Sequence, residues 1–478
     1  MAQVANPDQL RIALPKGRFQ ASTAEMLSGA GFGMPEYNPH SRQYRVGSDT
    51  MPSLSAKILQ ERDISVHVSI GNYDLGVCGA DWVRELKAGY PGTSLVEAAA
   101  LNYSDGAVFL ASSTHSNLVS LQAVTEAQRT IRIASEYPGL ATQLAAQLRL
   151  RRFQVFPVWG AAEAYPPESA DLVLLWAKNE RDVVLQGLIP LSRLFDVEAL
   201  VVANASSLSG KDLSAVLAPL AHCYRRGPAP AAPVLEPGVE APMDEFLAQW
   251  QARPVHMALP DGHQKAPMVE LLGRAGCDIP GYAGRTAERR LHATADWLAV
   301  KVIRPQDMPL QVASGHFDIA VTGQDWLTEH RVAFPASPVT ELLDLGFGKV
   351  RVVAALSQDI PVDSIAELGA YMARGGIRSL RVASEYTNIA DKFLRDNHIP
   401  SYRVMPTKGA SEAFLPDDAD LLVDNTQTGK TLADNHLKII EVILRSSACL
   451  IANTESLKDT GKRERIETLA QQFEGAVE

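Results

Sequence analysis

The residues best suited to chemistry lie in one short segment, Asp424–Thr431, which reads DNTQTGKT and is termed here the Thr/Gly loop. An apolar run, Leu421–Val423, leads into it, and the pattern predicts a strand, a turn and then a helix over Leu432–Leu444. The first turn of a helix offers unpaired backbone N–H groups and the positive end of the helix dipole. The segment is therefore a candidate phosphate site.

Each residue type in the Thr/Gly loop has a chemical use. Gly429 would let the backbone approach an anion closely, and Gln427 and Lys430 flank it. Asp424, at the end of the strand, could hold ribose hydroxyls or a water molecule bound to Mg²⁺. Three hydroxyl groups would add hydrogen-bond donors: Thr426, Thr428 and Thr431.

Two other interpretations of this loop compete with a phosphate site. Gly429-Lys430-Thr431 resembles the end of a nucleoside-triphosphatase P-loop, but that motif needs a glycine five residues earlier, where Asp424 stands. A helix capped by a threonine would need no ligand. The loop taken alone does not separate the cap from the phosphate site.

The chain is a tandem duplication. Five blocks recur in order at offsets of 244 to 249 residues, a period far too long for a solenoid. The paired blocks are Leu14–Pro15 with Leu259–Pro260, Asp74–Trp82 with Asp318–Trp326, Arg132–Tyr137 with Arg381–Tyr386, Gly160–Ala164 with Gly409–Ala413, and Val202–Asn204 with Ile451–Asn453. We expect copy one at 8–224 and copy two at 254–478, joined by a Pro/Ala-rich linker over 225–253 with a short amphipathic helix at 243–252.

Comparing the copies favours a phosphate site over a simple cap. Copy one has Leu175 in place of Asp424 and Glu180 in place of Gly429, so it puts an acid where phosphate would lie. The surrounding blocks survive in both copies, and both could have kept a cap equally well. The Thr/Gly loop is therefore expected to function in copy two.

The first turn of each copy shows the reverse pattern. In copy one the predicted strand Leu10–Leu14 leads into Lys16-Gly17-Arg18, and cations at the carboxyl end of a strand face the expected ligand crevice. Copy two has Asp261-Gly262-His263 there, so both cations are lost. A surface turn with ordinary charges is the alternative interpretation.

Several weaker candidates follow other predicted strands. Each of four residues would bind phosphate or ribose, or merely cap a helix: Ser384, Glu385, Tyr386 and Glu412. Arg62 and Arg304 precede helix-like stretches and are either functional or simply ion-paired. Asp81 and Asp325 each follow a glycine after a strand and are predicted to be helix N-caps.

Composition limits the function classes. The 478 residues are 46% hydrophobic and 21% charged, and short apolar runs alternate with amphipathic stretches, which is typical of an α/β protein. The net charge of -10 argues against a dedicated nucleic-acid or anionic-membrane binder. No signal peptide and no apolar run of ~18 residues is visible, so a cytoplasmic location is expected.

At this level of detail the chain resembles a known family, the catalytic subunit of ATP phosphoribosyltransferase. The similarity covers almost the whole of both copies and rests on several motifs together. They are Arg11–Arg18, the Asp63…Gly71…Asp74-Leu75-Gly76…Gly79…Asp81 run, Arg381–Tyr386, Val423–Leu432, and Leu437…Glu441…Leu444…Ser447-Ala448…Leu450-Ile451.

The resemblance implies a fold, a reaction and roles for residues. Each copy would be a pair of α/β lobes resembling type II periplasmic binding proteins, with second lobes at about 101–186 and 341–436. The family joins N1 of ATP to C1 of phosphoribosyl pyrophosphate in the presence of Mg²⁺. Its 5-phosphate and ribose site maps onto Asp424–Thr431, and its nucleotide-facing turn maps onto Lys16 and Arg18 only.

The fused double copy departs from the family pattern and suggests an internal pseudo-dimer. Because family sites lie near a dimer interface, copy two would bind phosphoribosyl pyrophosphate while copy one supplies Arg18 or Arg62, giving one site per chain. Further homo-oligomerisation stays possible. Two alternatives stay open: a phosphoribosyltransferase for another heterocyclic acceptor, and a non-catalytic nucleotide-binding regulator.

Overall fold

The computed structural model of the protein describes residues 9–41, 44–224, 253–284, 289–409 and 411–477. Nearly all of the predicted linker, and the helix predicted at 243–252, lie outside these residues. Within them the chain is α/β and consists of two similar copies, as predicted.

Copy one alternates strands with helices. Its strands are β1 (Leu10–Lys16), β2 (Arg45–Gly47), β3 (Leu54–Gln60), β4 (Leu75–Gly79), β5 (Leu95–Ser113), β6 (Ile131–Ser135), β7 (Phe153–Pro157), β8 (Leu172–Ala177) and β9 (Leu188–Asn204). Its helices are α1 (Gln20–Gly29), α2 (Glu61–Ser69), α3 (Ala80–Gly89), α4 (Leu121–Glu126), α5 (Pro138–Gln147), α6 (Glu180–Leu185), α7 (Ala205–Gly210) and α8 (Ser214–Leu220).

Copy two repeats this order. Its strands are β10 (Val255–Pro260), β11 (Arg290–His292), β12 (Leu298–Ile303), β13 (Ile319–Gly323), β14 (Val339–Asp344), β15 (Val350–Ser357), β16 (Leu380–Ser384), β17 (Tyr402–Pro406), β18 (Leu421–Thr426), β19 (Leu437–Ser446) and β20 (Ala448–Asn453). Its helices are α9 (Lys265–Arg274), α10 (Met308–Ala313), α11 (Gln324–Ala333), α12 (Ile365–Ala373), α13 (Thr387–Asp396), α14 (Lys430–Asp434) and α15 (Thr460–Val477).

Each copy has two lobes joined by a pair of crossing strands, termed here the hinge strands. In copy one β5 and β9 run through both lobes, so all nine strands form one sheet in the order β2-β3-β1-β4-β9-β5-β8-β6-β7. In copy two the hinge is interrupted at 345–349 and at Ser447, which leaves two sheets, β11-β12-β10-β13-β20-β14 and β17-β16-β18-β15-β19. The sheet order and the parallel pairs around β1, β6, β10 and β16 otherwise match.

The two copies are held together by shared hydrophobic cores. One core combines Phe109 and Tyr165 of copy one with Phe317 of copy two. The other combines Tyr73 of copy one with Phe414 of copy two. The first lobe of each copy therefore packs against the second lobe of the other, as in a dimer with a pseudo-twofold axis.

Charged pairs follow the same pseudo-twofold pattern. Lys57 of copy one lies 3.0 Å from the carboxylates of Asp417 and Asp418 in copy two. The equivalent Lys301 of copy two pairs with Glu168 of copy one at 2.5 Å. Asp418 and Lys301 are fully buried, so these pairs fix which surfaces meet.

Two local predictions are wrong. The helix predicted over Leu432–Leu444 is the short helix α14 followed by the hinge strand β19. Asp81 and Asp325 are not N-caps, because Gly79 and Gly323 hold those positions and both carboxylates bind side chains instead.

No helix in the described part of the chain is long and apolar enough to cross a membrane.

Candidate active site

The Thr/Gly loop leaves strand β18 and turns sharply at Gly429. Gly429 has φ +80°, a conformation that glycine adopts without strain. Thr426 Oγ1 accepts a hydrogen bond from the Gly429 N–H at 2.9 Å, and Thr428 Oγ1 accepts one from the Lys430 N–H at 3.3 Å. The threonines therefore cap the short helix α14. Five residues of the loop are exposed to solvent: Asn425, Gln427, Thr428, Lys430 and Thr431.

Two carboxylates meet beside the loop. Asp424 ends the apolar part of β18 and Glu385 follows the parallel neighbour β16, so the two carboxyl groups lie at one edge of the sheet. Burial raises the pKa of Asp424 to about 8 and that of Glu385 to about 7. The negative charges of Glu385 and Glu412 also raise the pKa of Asp424. Such a pair would be relieved by a bound cation or by hydroxyl donors.

Ser384 and Tyr386 support this edge from within the fold. Ser384 is fully buried, donates to the Val423 carbonyl at 2.6 Å and accepts from the Tyr386 N–H at 2.9 Å. The Tyr386 hydroxyl donates to Asp325 and accepts from the Asn425 amide at 2.7 Å. Both side chains are therefore used to position the loop.

Copy one reaches this edge through Arg62. Its Nη2 atom donates to the Lys408 carbonyl at 3.3 Å, and its charge lowers the pKa of Glu385 against the effect of burial. Lys408 itself lies over the ring of Trp159 from copy one, and burial lowers its pKa to about 8. Arg62 is thus the cation of copy one that the structure brings to this edge, and its part in the reaction stays a prediction.

Arg18 is placed differently from the prediction. Its guanidinium binds Asp81 at 2.7 Å and Glu61 at 2.9 Å, both in copy one, and their charges raise its pKa although burial opposes this. It lines a cavity of about 340 Å³ inside copy one, together with Lys16 and Trp176. Arg18 therefore does not reach the Thr/Gly loop in the described structure.

Lys16 and Glu412 are linked by one tyrosine across the interface. The Lys16 Nζ atom lies 5.2 Å from the centre of the Tyr44 ring, and the Tyr44 hydroxyl donates to Glu412 Oε1 at 3.3 Å. Burial and the Glu412 carboxylate raise the pKa of Tyr44 to about 12, which keeps it a donor. Glu412 therefore contacts copy one through Tyr44, and its negative charge also raises the pKa of Asp424 in the Thr/Gly loop.

Sequence reasoning missed Lys408, which contacts Trp159 and Arg62 across the interface between the copies. A signal existed, because Lys408 is the counterpart of Trp159 at the offset of 249 residues. The sequence blocks around this position agree between the copies, but the residue itself changes from tryptophan to lysine. Such a difference indicates that the position has a different role in each copy.

The comparison with known families decides where the chain belongs. A family model described as HisG, ATP phosphoribosyltransferase, matches residues 60–222 and 304–475, once in each copy. The chain belongs to the ATP phosphoribosyltransferase family. The two matched regions are consistent with a tandem duplication.

Curated members of the ATP phosphoribosyltransferase family match about half of the chain. The ATP phosphoribosyltransferase of Chlorobium phaeovibrioides is 33% identical over 233 residues, which is 47% of this chain and 72% of the relative. That of Pelotomaculum thermopropionicum is 30% identical over 228 residues, which is 47% of this chain and 73% of the relative.

Solved structures match less closely. The ATP phosphoribosyl transferase (HisG:HisZ) complex from Thermotoga maritima has a TM-score of 0.38 and 20% identity, over 47% of this chain and 98% of that chain. The alkanesulfonate-binding protein SsuA from Xanthomonas axonopodis pv. citri, bound to MOPS, has a TM-score of 0.31 and 15% identity, over 46% and 74%. These scores add nothing to the family assignment, which rests on the sequence matches.

Proposed function

We propose that the chain is an ATP phosphoribosyltransferase with one active site, in copy two. It joins N1 of ATP to C1 of phosphoribosyl pyrophosphate and releases pyrophosphate, the first step of histidine biosynthesis. The observation that carries this assignment is the Thr/Gly loop of copy two, whose Asp424 lies near Glu385 and close to Arg62 of copy one. Family membership supplies the reaction.

The reaction asks mainly for positioning and charge stabilisation. The N1 lone pair forms the new bond to C1, while the C1–O bond breaks and its electrons leave with pyrophosphate. Positive charge grows on the ribose and negative charge on the leaving group, so a cation such as Arg62 stabilises the departing oxygens. The exposed side chains of Thr428, Lys430 and Thr431 would fix the 5-phosphate at the turn made by Gly429, and Asp424 would hold the ribose hydroxyls. No strong general base is needed.

The residues present fit a magnesium ion that arrives with substrate. Asp424 and Glu385 offer hard oxygen ligands, and their mutual repulsion at a buried edge would fall when a divalent cation binds. The described residues contain no group of three or more potential ligands. Mg²⁺ would therefore bind one or two of these carboxylates and the substrate phosphates, and it would neutralise the leaving pyrophosphate.

The direct test mixes the purified chain with ATP, phosphoribosyl pyrophosphate and MgCl₂, and adds pyrophosphatase to pull the equilibrium. The expected product is phosphoribosyl-ATP, detected by mass spectrometry and absent when EDTA replaces the metal. Binding of both substrates without this adduct would reject the assignment. We place the reaction in the cytoplasm, with small-molecule substrates and no nucleic-acid or membrane partner.

One observation favours a second candidate, a phosphoribosyltransferase for another heterocyclic acceptor. Copy two lacks cations at Asp261-Gly262-His263, and Arg18 of copy one is bound by Asp81 and Glu61. The nucleotide-facing turn of the family is therefore altered. Release of pyrophosphate from phosphoribosyl pyrophosphate with a different heterocycle, and none with ATP, would select this candidate.

A further inference from the structure

Copy two has a cavity of its own, termed here the hinge cavity. The roles given above to the carboxylates and to the Thr/Gly loop assign no function to it. Its volume is about 540 Å³, and it opens where the hinge strands are interrupted, between β14 and β15 and between β19 and β20. Gln427 of the Thr/Gly loop lines it. A Cβ atom at Gly429 would lie 3.9 Å from Arg351 Nη2, so the hinge cavity adjoins the loop.

The lining of the hinge cavity is rich in positive charge. Lys349, Arg351 and Arg445 all line it, and none of them forms an ion pair within the described ranges of the chain. Asp344 adds one negative charge and accepts a hydrogen bond from Ser447. An open cavity with three cations and one acid attracts an anion that carries several charges.

Copy one has two acids and a neutral residue at the positions of these three cations. At offsets of 244 and 249 residues, Asp105, Ala107 and Asp196 stand where copy two has Lys349, Arg351 and Arg445. In copy one the hinge strands β5 and β9 also run through without interruption. The fold therefore needs neither the cations nor the interruption, and both features belong to a task that only copy two performs.

We propose that the hinge cavity binds a linear oligophosphate group, a diphosphate or a triphosphate. This inference rests on the proposed function, which offers two sources, the triphosphate of ATP and the diphosphate of phosphoribosyl pyrophosphate. The three cations replace the two that copy two lost at its first turn, Asp261-Gly262-His263. They hold the diphosphate or triphosphate in place while the ribose and the heterocycle react at the neighbouring Thr/Gly loop.

Calorimetric titration with inorganic pyrophosphate tests the site itself. The variant Lys349→Gln/Arg445→Gln removes two exposed cations, and we expect its Kd to rise at least about tenfold. Lys178→Gln is the matched control, because Lys178 is the exposed copy-one counterpart of Gln427. It should bind pyrophosphate as the parent does. Melting curves of all three proteins check that they fold.

The same variants identify the source of the oligophosphate. A weaker affinity for ATP alone assigns the hinge cavity to the nucleotide, and a weaker affinity for phosphoribosyl pyrophosphate alone assigns it to the donor. AMP and ribose 5-phosphate, which carry one phosphate, should bind the double variant and the parent equally.

Three outcomes overturn the inference: no binding of millimolar pyrophosphate by the parent, unchanged binding by the double variant, or an equal loss in Lys178→Gln. The proposed function fails separately. Pyrophosphate binding that depends on Lys349 and Arg445, with no phosphoribosyl-ATP formed, would keep the hinge cavity and reject the transferase. Formation of phosphoribosyl-ATP, together with pyrophosphate binding that is unchanged in the double variant, would keep the transferase and reject the hinge cavity as an oligophosphate site.

Discussion

Trp159 of copy one and Lys408 of copy two are counterparts that contact each other, with Lys408 Nζ 3.1 Å from the centre of the Trp159 ring. In a dimer of identical chains, the same residue type from each subunit would meet at this position. Two lysines would repel and two tryptophans would gain no charge contact. The fused chain has unlike residues there, and a cation–π pair results.

Restoring identity at this position should destabilise the protein. Trp159→Lys would bring two ammonium groups together, and we expect the free energy of unfolding to fall by about 2 kcal/mol. Trp159→Phe keeps an aromatic face and should lose less than half as much. Urea denaturation followed by circular dichroism measures both. Equal stability of the two variants would contradict the role given to the pair.

The one-site hypothesis predicts opposite results in the two copies. Gly429→Glu puts an acid and a strained φ into the Thr/Gly loop, so phosphoribosyl transfer should fall by on the order of 100-fold or more. Glu180→Gly changes the counterpart in copy one, where Asn179 caps helix α6 at 3.1 Å, and activity should stay within about twofold. Steady-state rates at saturating substrates decide the matter. Equal losses from both changes would mean two sites.

The cation supplied across the interface can be tested at Arg62. Arg62→Gln introduces the residue that copy two has at the counterpart position, Gln306, so the fold should tolerate it. We expect kcat to fall about 100-fold, because one charged donor to the leaving group is lost. The melting temperature should change little. A normal kcat would remove Arg62 from the mechanism.

Arg18→Gln provides the contrast. It would leave Asp81, which is fully buried, without its cation, and we expect the free energy of unfolding to fall by about 3 kcal/mol. If Arg18→Gln instead abolished turnover in a protein of normal stability, Arg18 would act on substrate.

His67 makes the interface between the copies sensitive to acid. Its ring stacks on Phe414 of copy two at 4.3 Å, and burial lowers its pKa to about 4, although the nearby Asp418 carboxylate raises it. The unfolded chain binds this proton near pH 6.5, so stability is lost as pH falls from about 6.5 toward 4. Between pH 7 and 5 the parent should lose about 2 kcal/mol relative to His67→Phe.

Chemical denaturation at a series of pH values measures this difference. His40→Gln, at an exposed histidine, is the control and should follow the parent. Parallel pH profiles for the parent and His67→Phe would show that the imidazole does not titrate on unfolding.

The duplication and most strands follow from the sequence because buried apolar runs are local signals. The hinge strand β19 did not, since Leu437, Ile440 and Leu444 have the spacing of a helix face, and only the pairing with the distant strand β15 makes the segment a strand. In the candidate site, residue types alone were enough to single out the Thr/Gly loop and Arg62, and their roles stay predictions. The pairing of Arg18 with Asp81 was missed because it joins residues 63 positions apart, which only the fold brings together.

The shared cores have a consequence for dilution. In an ordinary dimer the subunits separate as the protein becomes scarce, and a site built from two chains is lost. Here the partner is tethered, so its local concentration is set by the covalent connection and not by expression level. Specific activity should therefore stay constant from micromolar to picomolar protein. Each copy can also lose site residues that the other copy retains.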